Sequence, residues 1–404
     1  MTSVKATARV LVLACSGLNL AADAADRARA TAYVDSQGIA HLAPLAVPPS
    51  SFMSPQAKTA FVKLVTGAAD APPINGNIDT VRAFYEHYNS ALVVRALKRY
   101  PVKITQETMN GVRTEVVVPT GGVAAENRNR VLINLHGGAF LWGEGSGGEI
   151  ESIPIASVGR IEVVTVAYRE GPEYKFPAAS EDVAAVYRAL LGRYAPRNIG
   201  IYGCSAGGML TAQSVAWFEQ AQLPMPGAIG TFCGSASPFG GDSSYIAFAL
   251  AGQPPLPGAQ SGGLGFSSYF GDVSLGNPLV FPTKSRRVLS RFPPTLLISG
   301  SRDFAVSSLF HTQEALTAVG VDAELHVWDG MWHAFFMDPD LPESREAYHV
   351  IVSFFARHLG QAVQRKAWPA LLRRNQSHTL VSGTPWGGSP GLIVKGSSDG
   401  AKWQ

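Results

Sequence analysis

The stretch Asn198-Ile199-Gly200-Ile201-Tyr202-Gly203-Cys204-Ser205-Ala206-Gly207-Gly208-Met209 reads as a strand that turns sharply into a helix. A serine at the apex of such a turn is lifted clear of the sheet, which is how an alcohol is presented as a nucleophile. Gly203 and Gly207 flank it because strand and helix pack there with almost no room for side chains, and glycine tolerates the strained dihedrals. The same pattern recurs at Gly387-Gly388-Ser389-Pro390-Gly391, but no apolar strand precedes it and Pro390 disfavours helical backbone at Ser389. Structural context therefore selects Ser205.

Outward from this turn, strand-like runs over 131–135, 162–167, 198–203, 228–233, 295–299 and 323–328 alternate with helix-like runs. The helices fall over 178–194, after Ser205, around 308–319 and over 344–358. This alternation predicts an α/β fold, a mostly parallel doubly wound sheet with helices on both faces. Ahead of it, 102–105 and 112–118 read as a hairpin turned by Asn110-Gly111. Ser54-Pro55 opens a helix over 56–65, and a second begins at Asn77 or Asp79, with Val81, Phe84, Tyr85 and Tyr88 at helical spacing. Two helices before the first strand suggest a helical cap.

Between 234 and 282 the pattern dissolves into Gly, Ser and Pro with Phe239, Tyr245, Phe248, Phe266, Tyr269 and Phe270. A long irregular insertion reads as a lid over the site, while any single one of these aromatics reads as ordinary core packing. The expected organisation is an N-terminal extension and cap helices over 25–100, a catalytic domain over 101–234 and 283–360, a cap or lid insertion over 235–282, and a disordered or peripheral tail over 361–404.

The chain has 404 residues, ample for a large core, with 46% hydrophobic and only 16% charged residues, the balance of a well-buried globular enzyme. A net charge of +3 is too small to argue for nucleic acid or an anionic membrane as partner. Three cysteines form no disulfide framework, and their spacing matches no metal site. Lys5 and Arg9, an uncharged run over 10–22 and Ala22-Asp23-Ala24 read as a signal peptide over 1–24, implying a periplasmic or secreted protein. The alternatives are an extension of a cytoplasmic enzyme, favoured by Ser16 and Asn19, or a lipidation box at Val12-Leu13-Ala14-Cys15. No other stretch is long and apolar enough to span a bilayer.

An alcohol is a weak nucleophile until a base takes its proton, and the base needs an orienting acid. In a fold of this kind the partners follow in the order serine, acid, histidine, each just past the end of a strand. Asp303 follows Leu296-Leu297-Ile298-Ser299 through a short turn, and His333 follows Leu325-His326-Val327-Trp328 through another. The expected catalytic set is Ser205, Asp303 and His333, with Asp329 as the rival acid. His326 in a strand, His311 on a helix, and His349 and His358 on the closing helix read as packing or surface residues. The loop Leu135-His136-Gly137-Gly138-Ala139-Phe140 follows a strand and is suited to hold a developing oxyanion with main-chain amides, together with the amide of Ala206.

These segments, in this order, resemble the hormone-sensitive-lipase-like esterases, a bacterial family of α/β-hydrolases with a helical cap, over about residues 54 to 359. The family usually has a third glycine where Ala139 stands, and the resemblance implies Gly138, Ala139 and Ala206 as the oxyanion-hole donors. Tyr168-Arg169-Glu170-Gly171-Pro172-Glu173 looks like a family stretch that has leucine and alanine at positions 170 and 171. There Arg169, Pro172 and Glu173 imply a buried charge network behind the site. Cys204 replaces a more common acidic residue, and Phe304, Ala305 and Ser307 stand where a proline, a leucine and a second acid often trail the catalytic acid. The resemblance implies a serine carboxylesterase acting on short to medium acyl esters, without cofactor or metal, often a homodimer. Its expected partner is a small-molecule ester, with no nucleic acid and no stable membrane insertion. Rival readings are a lactonase or amide hydrolase using the same residues, a non-catalytic small-molecule receptor of the same fold, and a cysteine hydrolase through Cys204.

Overall fold

Apolar runs with few polar interruptions make buried strands, and here they build one eight-stranded sheet. The computed structural model describes residues 32–361 except 44, 75 and 252–267, all belonging to one compact unit. The signal-peptide, Phe266, Ser389 and tail readings lie outside the described residues. The strands are β1 (Val102–Met109), β2 (Val112–Pro119), β3 (Val131–Leu135), β4 (Glu162–Val166), β5 (Ile199–Cys204), β6 (Ala228–Phe232), β7 (Thr295–Arg302) and β8 (Ala323–Trp332). Their order across the sheet is β8-β7-β6-β5-β3-β4-β2-β1.

From β4 to β8 every neighbouring pair is parallel, and the hairpin β1–β2 closes the other edge antiparallel to β4. Asn110 and Gly111 turn that hairpin with φ of 48° and 85°, the positive values the sequence demanded. Strand order reverses at β3, which pairs with both β4 and β5. Loops leaving the carboxyl ends of β3 and β5 therefore diverge around a crevice, the usual ligand position in an open α/β sheet.

Nine helices among the described residues flank the sheet: α1 (Pro55–Gly67), α2 (Ile78–Arg99), α3 (Ser146–Gly159), α4 (Ala178–Leu191), α5 (Ala206–Gln220), α6 (Ser243–Leu250), α7 (Arg286–Leu289), α8 (Val306–Thr317) and α9 (Pro342–His358). One core cluster packs α4, α5 and α8 on one face, through residues such as Val183, Leu210 and Leu309. The other packs α1, α2, α3 and α9 on the opposite face, through Phe61, Leu92, Ile153 and Phe354. Ser54 caps α1 as the sequence predicts, and of the two candidate starts of α2 Asn77 is the cap; they accept from Ala57 N and Thr80 N at 3.0 Å each.

Helix α3 has no counterpart in the sequence reading. Its first turn contains Gly147 and Gly148 and its interior Pro154, all poor helix formers, and it shows no amphipathic stripe because it is buried almost all round. Its glycines let it press close: a Cβ added to Gly148 would sit 2.5 Å from Thr165 Cγ2. The insertion after β6 likewise contains a short helix, α6, where only irregular chain is expected. Phe239, Tyr269 and Phe270 within it are buried, so core packing is the better description of those three, whereas Tyr245 is exposed.

Backbone meets backbone where β3 ends and α5 begins. A Cβ on Gly207 would lie 1.7 Å from the Leu135 carbonyl oxygen, and one on Gly203 would lie 2.2 Å from the same atom. No rotamer change relieves a clash between main chains. Gly207→Ala is expected to cost about 3 kcal/mol or more, the upper end for overpacking, and to read out as a lowered Tm or loss of soluble protein. An unchanged Tm would show that strand and helix are not held at this separation.

Candidate active site

Ser205 stands between β5 and α5 with φ 56° and ψ −117°, a conformation costly for any residue with a side chain. The main chain holds it there: Ser205 N–H donates to the Phe232 carbonyl at 2.7 Å and the Ser205 carbonyl accepts from Met209 N at 3.0 Å. Cys204, beside it, is fully buried and burial pushes its thiol up to about 11. A thiol so reluctant to ionise is no nucleophile at neutral pH, which removes the cysteine-hydrolase reading.

Asp303 follows β7 directly and His333 follows β8 directly, because both strands run further than the sequence predicts, to Arg302 and Trp332. Asp303 is fully buried and accepts from His333 Nδ1 at 2.7 Å, Ser299 Oγ at 2.7 Å and Ala305 N at 2.9 Å. Burial alone would raise its pKa, but the imidazolium charge and these hydrogen bonds outweigh that and hold it below the ordinary carboxylate value. Asp329, the rival acid, accepts instead from Ser50 and Ser301. Of the rival histidines, His326 and His358 sit near Glu324, at 3.8 and 3.9 Å.

Cys233 and Gly234, at the end of β6, bridge the serine turn to the histidine loop. A Cβ on Gly234 would lie 2.1 Å from the Ser205 carbonyl oxygen, while Cys233 Sγ accepts from Ala334 N at 3.2 Å. The acid–imidazole pair is thus assembled, and Ser205 Oγ makes no hydrogen bond to the imidazole among the described residues. Catalytic hydrogen bonds are often long before substrate binds, so the missing contact does not by itself remove Ser205 as the partner of His333. Cys233 Sγ, an Asp303 carboxylate oxygen and a His333 ring nitrogen also lie within 4.8 Å of one another, although burial raises the Cys233 thiol well above its ordinary value and so keeps it from offering a thiolate. Chain spacing gave no hint of it, since the three residues come from three different strand ends.

The glycine loop after β3 carries three successive positive φ values: 112° at Gly138, 55° at Ala139 and 61° at Phe140. Gly138 admits no side chain, since a Cβ would meet the Trp142 carbonyl oxygen at 1.8 Å. Ala139 adopts the left-handed conformation despite its methyl group, in keeping with the glycine expected at that position. Ala206 opens α5, so its N–H has no preceding turn to bond. Main-chain donors so placed can stabilise an oxyanion.

Glu151, on the unforeseen helix α3, underpins both loops. It accepts from Gly137 N at 2.8 Å with Oε1 and from Cys204 N at 3.3 Å with Oε2. Burial pushes it up to about 8 against the lowering effect of those two amides. The acid missing from position 204 is in this sense supplied through space by α3. The signal could not be read along the chain because α3 itself was not legible.

Two further expectations need correction or completion. The predicted buried charge network is half-exposed: side-chain exposure is 39% at Arg169 and 49% at Glu173, while Asp182 and Glu170 at 10% each are buried. Arg169 serves α4, binding Asp182 at 2.9 Å and Glu181 at 2.9 Å, whereas Glu173 reaches Arg82 on α2 at 2.8 Å. These partners lie at the rim, where long side chains keep their charged ends in water. Phe304, which stands where a proline is usual, stacks on the His333 ring at 4.3 Å between centroids. Phe239 and Phe248 from the insertion pack on Phe304 at 5.3 Å each, so the insertion braces the imidazole.

A cavity of about 1420 Å³ lies between α2, the β1–β2 hairpin and the loops following β3 and β4, lined by His136 and Glu170 but not by Ser205, Asp303 or His333. Among the described residues no helix is long and apolar enough to cross a membrane.

A model of the α/β hydrolase fold matches residues 132–337. An acetyl-hydrolase of Streptomyces hygroscopicus is 27% identical over 269 residues, covering 63% of this chain and 86% of its own. An esterase of Acinetobacter venetianus is 26% identical, covering 63% and 82%. Among solved structures, esterase E25 superposes with a TM-score of 0.68 at 28% identity, covering 79% of this chain and 98% of its own. An esterase of the bacterial hormone-sensitive lipase family superposes with a TM-score of 0.65 at 26% identity, covering 76% and 99%.

Proposed function

The chain belongs to the α/β-hydrolase family, in its hormone-sensitive-lipase-like branch, and from that premise we propose that it is a serine carboxylesterase of short to medium acyl esters. The observation that carries this reading is the His333 Nδ1–Asp303 hydrogen bond of 2.7 Å together with a serine held at φ 56° on a strand-to-helix turn. His333 takes the Ser205 proton as Ser205 attacks the ester carbonyl, and Asp303 keeps the imidazole in the tautomer that can accept it. Amides of Gly138, Ala139 and Ala206 receive the oxyanion. The alcohol departs with the proton from His333, and water, activated by the same imidazole, clears the acyl-enzyme.

The name of the Streptomyces relative favours a short acyl group. The purified protein is expected to hydrolyse p-nitrophenyl acetate and butyrate faster than long-chain esters. A fluorophosphonate probe should add to the peptide containing Ser205 and block turnover in step with labelling. Labelling elsewhere, or activity persisting in fully labelled protein, would reject the assignment.

A further inference from the structure

The histidine that opens the glycine loop has an unmet need. His136 is fully buried, and its Nδ1 lies 2.8 Å from the Gly137 carbonyl oxygen. A carbonyl can only accept, so Nδ1 carries the hydrogen and Nε2 presents a lone pair. No donor meets that lone pair. Burial drives the imidazole down to about 4, so a second ring proton is not the remedy.

Glu170 Oε1 lies 3.9 Å from His136 Nε2 and is likewise buried without a partner. Two buried acceptors left facing each other repel, and a single proton between them turns repulsion into a hydrogen bond. We propose that Glu170 is held as a neutral carboxylic acid that donates its proton to His136 Nε2 and so positions the 136–140 loop. Glu170 is a positioning residue in this scheme, and its role rests on the esterase reading above. A shift of the carboxyl by about 1 Å completes the contact.

Every group facing the carboxyl bears on where its proton sits. Burial raises Glu170 to about 8; Arg82 on α2 opposes this, the charges of Glu144 and Glu173 reinforce it, and the Glu144 backbone N–H opposes it. Arg82 remains 3.9 Å from Glu170 Oε2 and spends its short contacts on Glu173 and on the Leu141 and Gly171 carbonyls. Tyr168 stacks on the His136 ring at 4.2 Å and donates its hydroxyl to the His136 carbonyl, so it cannot serve Nε2. The adjoining cavity, lined by both residues, gives water a route to the pair when the acid ionises.

The sign follows directly: the contact exists while Glu170 is protonated and is lost as pH rises through about 8. The wild type is expected to lose about tenfold in kcat between about pH 7 and about pH 9.5 with KM nearly constant, since a displaced oxyanion donor acts on the transition state. E170Q keeps an N–H donor at every pH, so its ratio of kcat at the two pH values should stay near one. E170L, carrying the residue usual in the family, offers no donor and should be slow at both. An alkaline limb as steep in E170Q as in the wild type would overturn the proposal. If neither variant folds, ¹⁵N-histidine NMR of the wild type decides: His136 Nε2 should move toward a free lone-pair shift across the same range, and a stationary resonance would refute it. Absence of any esterase activity in the wild type would instead reject the functional reading, leaving the resonance to judge the pair on its own.

Discussion

Ser205→Ala is expected to abolish ester turnover, lowering kcat by about 10⁴- to 10⁶-fold, while leaving the protein folded. The Ser205 side chain caps no helix, and its turn is held by main-chain hydrogen bonds that an alanine retains. Alanine has a Cβ, so the strained backbone at φ 56° remains as it was. Ser205→Gly separates the two contributions. Glycine removes the Cβ that makes this conformation costly, so the variant should be equally inactive yet more stable by about 1 kcal/mol or more. Thermal unfolding of the three proteins, with a chromogenic short-chain ester as substrate, gives both readouts. Turnover by Ser205→Ala within tenfold of wild type would remove Ser205 from the chemistry, and a destabilised Ser205→Gly would show that the turn is not strained.

That prediction could be made before any coordinates because the serine turn is a local feature. Gly203, Ser205 and Gly207 lie within one strand-to-helix junction, and the reasons for each residue act over a few ångströms of chain. The hairpin at Asn110-Gly111 and the cap at Ser54 were legible for the same reason, and the start of α2 was legible to within Asn77 or Asp79. Asp303 and His333 were legible because topology places loop residues at strand ends, a rule about order along the chain. What escaped is non-local. Helix α3 is sandwiched between sheet and helices, so the polar face that would have revealed it is missing. With α3 went Glu151, which ties Gly137 to Cys204. Phe304 stood out only as a departure from the usual proline, since nothing along the chain announces that it stacks on His333. Cys233 was unremarkable for the same reason, although its sulfur receives the Ala334 amide at 3.2 Å.

These non-local groups share a purpose that sequence order cannot express. The serine turn, the glycine loop and the histidine loop each carry backbone in an unfavourable region, and each is held from behind by a buried or half-buried group on another element. Glu151 holds the first two, and Cys233 and Phe304 hold the third. Strain of about 1–3 kcal/mol per residue persists only where the surroundings over-determine the conformation. The supporting residues are therefore as much a part of the site as the loops that reach the substrate.

Asp303→Asn should produce the second large effect, lowering kcat by about 10⁴-fold with little change in KM. The carboxylate fixes Nδ1 as the protonated nitrogen and leaves Nε2 free to accept the Ser205 proton. An asparagine that keeps its carbonyl toward Ser299 puts its amide NH₂ at the position that now accepts from both His333 Nδ1 and Ala305 N, which selects the opposite tautomer with Nε2 already protonated and leaves the Ala305 N–H without its acceptor. Stability should change with a definite sign. The Asp303 pKa is depressed below 3.8 in the folded state, so its contribution is present above the unfolded value and lost as pH falls through the folded one. The Tm gap between wild type and Asp303→Asn should therefore be widest near neutrality and narrow as the solution is acidified below pH 3.8. A gap that stays constant across that range would mean the carboxylate gains nothing from His333 in the folded protein. The kinetic loss would then have to come from a displaced loop rather than from the wrong tautomer.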